Sequence, residues 1–245
     1  MFSLSNLAGR GTLFKIRKSF DDDLENKYSR RFKKYGATAE GSYWISKARQ
    51  ELRFEIMIKE MLKLQNNLEL SIGDIGCGYG ALVDYIATKY NPKNIRYFGA
   101  DISTDLIKYC TKNYDLRWAK FTVGSKPHSD VDVCLMSGTY NLAATHNALD
   151  WENHIFKNLT ECWFKTQKML IFNLQTSDTT HISNGKIFYA NKNNILNRCN
   201  AQLNTAVCVE HIDLPFDTTF VIKKNNSRRT DLPSNGITQS AKFST

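Results

Sequence analysis

Seven residues, Asp74-Ile75-Gly76-Cys77-Gly78-Tyr79-Gly80, constrain this chain more than any other stretch. They follow an apolar run over 68–75 that reads as a short strand. They precede a helix-like segment over 81–90 that stops at Asn91-Pro92, because the residue before a proline is pushed out of helical space. Glycines at three alternate positions let the backbone turn sharply and leave bare main chain where side chains would collide with a ligand. A strand, a glycine loop and a helix in that order hold a cofactor at the carboxyl edge of a parallel sheet.

The surrounding segments keep the alternation. Apolar Phe54, Met57, Ile58, Met61 and Leu62 recur at three- and four-residue spacing, the buried face of a helix over 50–64. Strands are expected over 96–100, 119–123, 131–136 and 169–172, with helices over 104–113 and 151–165 between them. A helix near 193–199 and two β-rich runs, 206–212 and 218–222, follow, the last two close enough for an antiparallel hairpin. The expected fold is α/β: a doubly wound, mostly parallel seven-stranded sheet with a C-terminal antiparallel hairpin and an N-terminal helical extension. The chain divides into a basic arm and lid region over 1–47, a cofactor-binding domain over 48–224 and a polar, disordered tail over 225–245.

Gly76-x-Gly78-x-x-Ala81 also satisfies the dinucleotide fingerprint. Three features favour another cofactor. Asp74 stands two residues before the first glycine, where a carboxylate can orient the loop and face a cationic ligand. The motif lies deep in the chain, and the β-rich pair ends the domain. Asp101, twenty-one residues past Gly80, closes the second strand where an acid can grip two ribose hydroxyls.

On these residues the chain resembles the class I S-adenosylmethionine-dependent methyltransferases, with 131–141 (VDVCLMSGTYN) similar to their fourth strand and its active-site tip. Tyr35-Gly36, Tyr43-Trp44, Gln50, Arg53-Phe54 and Phe172-Asn173 make it look like the stand-alone bacterial-type small enzymes of that class. The resemblance implies S-adenosyl-L-methionine as cofactor, held by Asp74, Gly76, Cys77, Gly78, Tyr79, Gly80 and Ser137. It implies Asp101 at the ribose, Ile102 beside the adenine and Ser103 among the cofactor-binding residues. Arg53 pairs with the cofactor carboxylate or is a solvated helix arginine. Tyr140 and Asn141 face the methyl acceptor, with His146 as general base because its ordinary pKa lies near working pH. Tyr35, Tyr43 and Trp44 form a lid or anchor the arm. The two prolines that base-amine methyltransferases carry after the fourth strand are missing from Ser137-Gly-Thr-Tyr-Asn141, which argues against that substrate.

The formal charge of +9 sits at the ends. Residues 1–35 hold nine basic and four acidic side chains and 223–245 hold five and one, which leaves 19 of each between them. The charge is thus expected to belong to detachable arms, with activity kept in a 36–224 fragment. The six cysteines are scattered without a Cys-x-x-Cys pair, which fits a reducing cytoplasm and not a zinc site. No apolar run is long enough to span a membrane. The expected activity is methyl transfer to an oxygen or nitrogen of a small molecule or sugar. The alternatives are an RNA or protein methyltransferase whose basic ends hold an acidic partner, a non-catalytic binding subunit, and a nicotinamide-dependent dehydrogenase.

Overall fold

A computed structural model of the chain describes residues 6–64, 69–90 and 92–224, with side chains described from residue 20 onward. The tail expected over 225–245 lies outside the described residues. Helices α1 (Asn6–Tyr35) and α2 (Lys47–Leu62) lead into β1 (Leu70–Ile75), α3 (Ala81–Lys89), β2 (Ile95–Asp101), α4 (Thr104–Asn113) and β3 (Ala119–Val123). Next come β4 (Val131–Met136), α5 (Ala148–Phe164), β5 (Thr166–Ser177), β6 (His181–Ser183) and β7 (Ile187–Asn191). Helix α6 (Lys192–Gln202), β8 (Ala206–Glu210) and β9 (Asp217–Lys223) follow.

Strands β3-β2-β1-β4-β5 run parallel in that order. Strand β9 returns antiparallel on β5, from Met169↔Lys223 to Gln175↔Asp217, and β8 pairs antiparallel with β9. Among the described residues the sheet holds nine strands where seven were expected. The two extra strands form a β6–β7 hairpin that joins the far end of β5 through Gln175↔Tyr189, Thr176↔Ala190 and Ser177↔Asn191. Strand β5 is therefore twelve residues long and overruns the four apolar residues that announced it.

Side chains alternate across the sheet with the two-residue period of a strand. Val133 and Leu135 of β4 face α2 and α3, against Met57, Ile58, Leu82 and Ile86. Cys134 and Met136 face the opposite layer, where α5 and α6 supply Trp151, Ile155, Leu159 and Ile195. All six cysteines are free and five are buried, packing as small apolar groups. Burial of each large side chain contributes roughly 1.5–3 kcal/mol, so the two layers hold the sheet's carboxyl edge firmly.

A buried polar network fixes one part of that edge. Arg53 of α2, 5% exposed, donates from Nε at 2.7 Å and from Nη2 to Asp217 Oδ2 of β9. Asp217 Oδ1 accepts from Asn173 Nδ2 of β5 at 2.9 Å, and Asn173 Oδ1 accepts from the Gly138 N–H at 2.7 Å. Helix α2, two strands and the loop after β4 are thereby tied in a line of charge-assisted bonds. Removing one partner of such a buried pair costs about 3–5 kcal/mol, because the other charge is stranded.

Candidate active site

The loops after β1, β2 and β4 meet where the strand order reverses between β1 and β4, the place where open α/β sheets bind ligands. A cavity of about 930 Å³, measured to its open mouth, lies there. Its floor is the glycine loop. Gly76, Gly78 and Gly80 all take positive φ (77°, 58° and 87°), and a Cβ on Gly76 would stand 2.8 Å from Thr139 Cγ2. Only glycine meets both demands at residue 76.

Asp101 reaches across to the loop. Its Oδ2 accepts from the Gly78 N–H at 2.9 Å and its Oδ1 from the Ser103 N–H at 2.8 Å, which couples the end of β2 to the glycine turn. Burial raises its carboxyl to about 6 against the pull of those two N–H groups. Asp74, also buried, accepts a hydrogen bond from Tyr97 Oη and is held up at about 7 by burial, with the Asp101 charge adding to the rise. Asp21 of α1 is the third carboxylate in the lining, which among the described residues contains no lysine or arginine. The cavity presents negative charge to whatever enters.

Of the residues singled out in the sequence, Asp74, Gly76, Cys77, Gly78, Tyr79, Asp101, Ile102, Ser137 and Tyr140 line this cavity. Gly80 and Ser103 stand behind it. Gly80 is the N-terminal cap residue of α3. Ser103 caps α4, its Oγ accepting from the Leu106 N–H at 3.3 Å, and it bonds Ser29 of α1 at 2.9 Å. Arg53 takes neither role expected of it: its guanidinium is buried on Asp217 and over the Trp44 ring, 4.7 Å from the centroid, and it lies outside the lining. His146 is exposed, packs against Gly185 and reaches no part of the cavity, since the loop after β4 turns away before it.

His154 lies in the cavity instead. It stacks on Trp151 with centroids 4.9 Å apart, meets Asn158 Nδ2 through Nε2 at 3.1 Å and sits 3.7 Å from Asp21 Oδ1. Trp151, His154, Ile155 and Asn158 recur at helical spacing, so the buried face of α5 was readable and its histidine with it. The lid was harder to read. Asp21, Leu24 and Tyr28 of α1 close the roof, and burial together with the nearby Asp101 charge pushes the Tyr28 hydroxyl pKa upward. Helix α1 is pinned by Ser29 to Ser103 and by Lys33 to Asp105 at 3.0 Å. Residues 20–35 are thus a wall of the site and not a detachable arm.

A second cavity, about 550 Å³ to its mouth, adjoins the first at Tyr28, Ser42, Trp44 and Gly138. Gly138, with φ of 68°, lies so close under Trp44 that a Cβ would approach the indole Cη2 to 2.8 Å. Asn141 lines this second cavity, its Oδ1 accepting from the Gln175 N–H at 3.2 Å. Ile187 of the β6–β7 hairpin forms another wall, where Leu142 bridges to it. Sequence reading passed over the hairpin, although Asn184-Gly185, both at positive φ, is a strong short-range signal for such a turn.

No protein-family model matches the chain. It is 25% identical over 157 residues, 63% of its length and 93% of the relative's, to a candidate methyltransferase of Mycobacterium tuberculosis. Its structure is similar to that of an S-adenosylmethionine-dependent methyltransferase of Leishmania major, with a TM-score of 0.61, 12% identity and 82% of each chain covered. It is also similar to the magnesium protoporphyrin IX methyltransferase of Synechocystis with bound SAH, at a TM-score of 0.52 and 12% identity, over 71% of this chain and 83% of the other. With the strand order and the glycine loop already in place, these likenesses give the chain the fold of the class I S-adenosylmethionine-dependent methyltransferases.

Proposed function

We propose that the protein binds S-adenosylmethionine in the acidic cavity and methylates an oxygen or nitrogen of a small molecule or sugar held in the adjoining one. The reading is carried by the bond from the glycine loop to Asp101, in a cavity lined, among the described residues, by three carboxylates and no basic side chain except His154. That charge suits a ligand with a sulfonium and an ammonium. Ser137 Oγ and Ser42 Oγ, buried in the same lining without a hydrogen-bond partner, suit a ligand that supplies one.

When bound, S-adenosylmethionine supplies an electrophilic methyl carbon that passes in line to the acceptor's lone pair, the carbon–sulfur electron pair returning to sulfur and any acceptor proton leaving to water. The protein's part is positioning. Gly76 and Gly78 offer bare backbone to the amino-acid and ribose portion. Each Asp101 oxygen, already bonded to one backbone N–H, keeps a lone pair for a ribose hydroxyl. Ile102 flanks the adenine, with Gly124 and Ser125 at its edge. Asp74 and Asp21 balance the positive charge. Tyr140 in the first cavity and Asn141 in the second bracket the path between donor and acceptor. The enclosure of the second cavity by α1, Trp44 and the hairpin favours a small acceptor.

Calorimetric titration with S-adenosylmethionine, S-adenosylhomocysteine and NAD tests the reading. Both sulfur ligands should bind and NAD should not; a response to NAD alone refutes it. An Asp101→Ala variant should bind S-adenosylhomocysteine about a hundredfold more weakly, the loss of two charge-assisted bonds at roughly 1.5 kcal/mol each. Unchanged affinity would remove Asp101 from the ribose.

A further inference from the structure

The two cavities differ in charge. The first is lined by Asp21, Asp74 and Asp101; among the described residues lining the second there is no carboxylate, and two are arginines. Arg53 spends its charge on Asp217. Arg49, in the first turn of α2, lines the cavity and makes no side-chain hydrogen bond or ion pair among the described residues. Two buried acceptors, Gln175 Oε1 and Ser42 Oγ, have no donor. Leaving such an atom unpaired costs about 1–3 kcal/mol, which a ligand O–H or N–H recovers. Tyr28, Tyr43 and Trp44 line it with three aromatic rings, and Tyr43 is held at a φ of 62°, a left-handed conformation a bulky residue seldom takes.

From this arrangement, and resting on the methyl-transfer reading above, we infer that the methyl acceptor is a planar aromatic acid bearing a hydroxyl or amine. Its ring lies among Tyr28, Tyr43 and Trp44, its anionic group pairs with Arg49, and its hydroxyl or amine hydrogen is donated to Gln175 Oε1. The guanidinium fork matches a carboxylate in two bonds, and aromatic rings bind a flat body with little loss of freedom. Gln175 lies on the overrun of β5 and Ile187 on the extra hairpin, so the two features that lengthen the sheet also shape this pocket.

The test uses the full chain saturated with S-adenosylhomocysteine and two isosteric probes, 4-hydroxybenzoate and uncharged 4-hydroxybenzamide, titrated by calorimetry. The carboxylate should bind at least about tenfold more tightly than the amide, the worth of one charge-assisted pair. Arg49→Gln should erase that preference and leave S-adenosylhomocysteine affinity within about twofold, which also shows that the variant is folded. Gln175→Leu should weaken both probes by a similar factor, about fivefold. Equal affinity for the two probes, no binding of either, or a preference that survives Arg49→Gln overturns the inference while the cofactor reading stands. Failure of S-adenosylhomocysteine itself to bind overturns the cofactor reading, and the acceptor assignment falls with it.

Discussion

Asp74 and Asp101 carry a chemical signature as well as a position. Both are buried acids whose protons are held to about 7 and about 6, far above an ordinary aspartate. A cationic cofactor favours their ionised forms, so affinity should climb as pH rises from 5 to 8, by up to about tenfold per unit where one carboxylate titrates. In the cofactor-free protein the sign is opposite. A folded-state pKa raised above the unfolded value of 3.8 contributes stability that is full below that value and is lost as pH rises through about 7. Melting temperature should therefore fall between pH 4 and pH 7 in the free protein. Asp74→Asn should flatten both profiles, and a free protein whose stability rises with pH over that window would contradict the burial of these groups. The two acids were legible in the sequence because each ends a strand beside the glycine loop. Their raised pKa values were not, since these come from burial, helped by the Asp101 charge at Asp74 and the Glu25 charge at Asp101.

Among the elements, α1 departs most from what the sequence suggested. Its composition is that of a basic, solvated arm, and activity was expected in a 36–224 fragment. In the fold, Leu24 is 5% exposed and shares a core with Tyr140 and Trp151, while Phe20 meets the Trp151 ring edge-on at 5.9 Å. Deletion of residues 1–35 strips Leu24 and Tyr28 from the roof, the buried Leu24 alone being worth roughly 1.5–3 kcal/mol of apolar burial. The 36–224 fragment should bind S-adenosylhomocysteine at least about tenfold more weakly than the full chain. Equal affinity in calorimetry would restore the detachable-arm view. The periodic elements were read to within a few residues: α4, β3 and β4 match their expected bounds. The β6–β7 hairpin and the long β5 were missed because their apolar runs are short and their stability comes from pairing with distant strands.

At the scale of the whole molecule, the formal charge of +9 divides between surfaces with different work. Part of the basic N-terminal segment lies on α1, where Lys33 pairs with Asp105 and Arg31 stacks on Tyr43, 4.2 Å from the ring centroid. The cofactor cavity beneath is acidic and buried, so its affinity for S-adenosylmethionine should change by less than about threefold between 0.05 and 0.5 M salt. A steep salt dependence in calorimetry would place binding on the basic surface instead. No helix among the described residues is long and apolar enough to cross a membrane. The sequence by itself determined the doubly wound sheet, the glycine loop and its partner Asp101, because periodicity, backbone freedom and strand ends are local properties. Only the tertiary structure decided what closes the site. The lid, the turning of Arg53 onto Asp217, the exclusion of His146, the entry of His154 and the second cavity all depend on contacts between residues far apart in the chain, and no spacing rule encodes these.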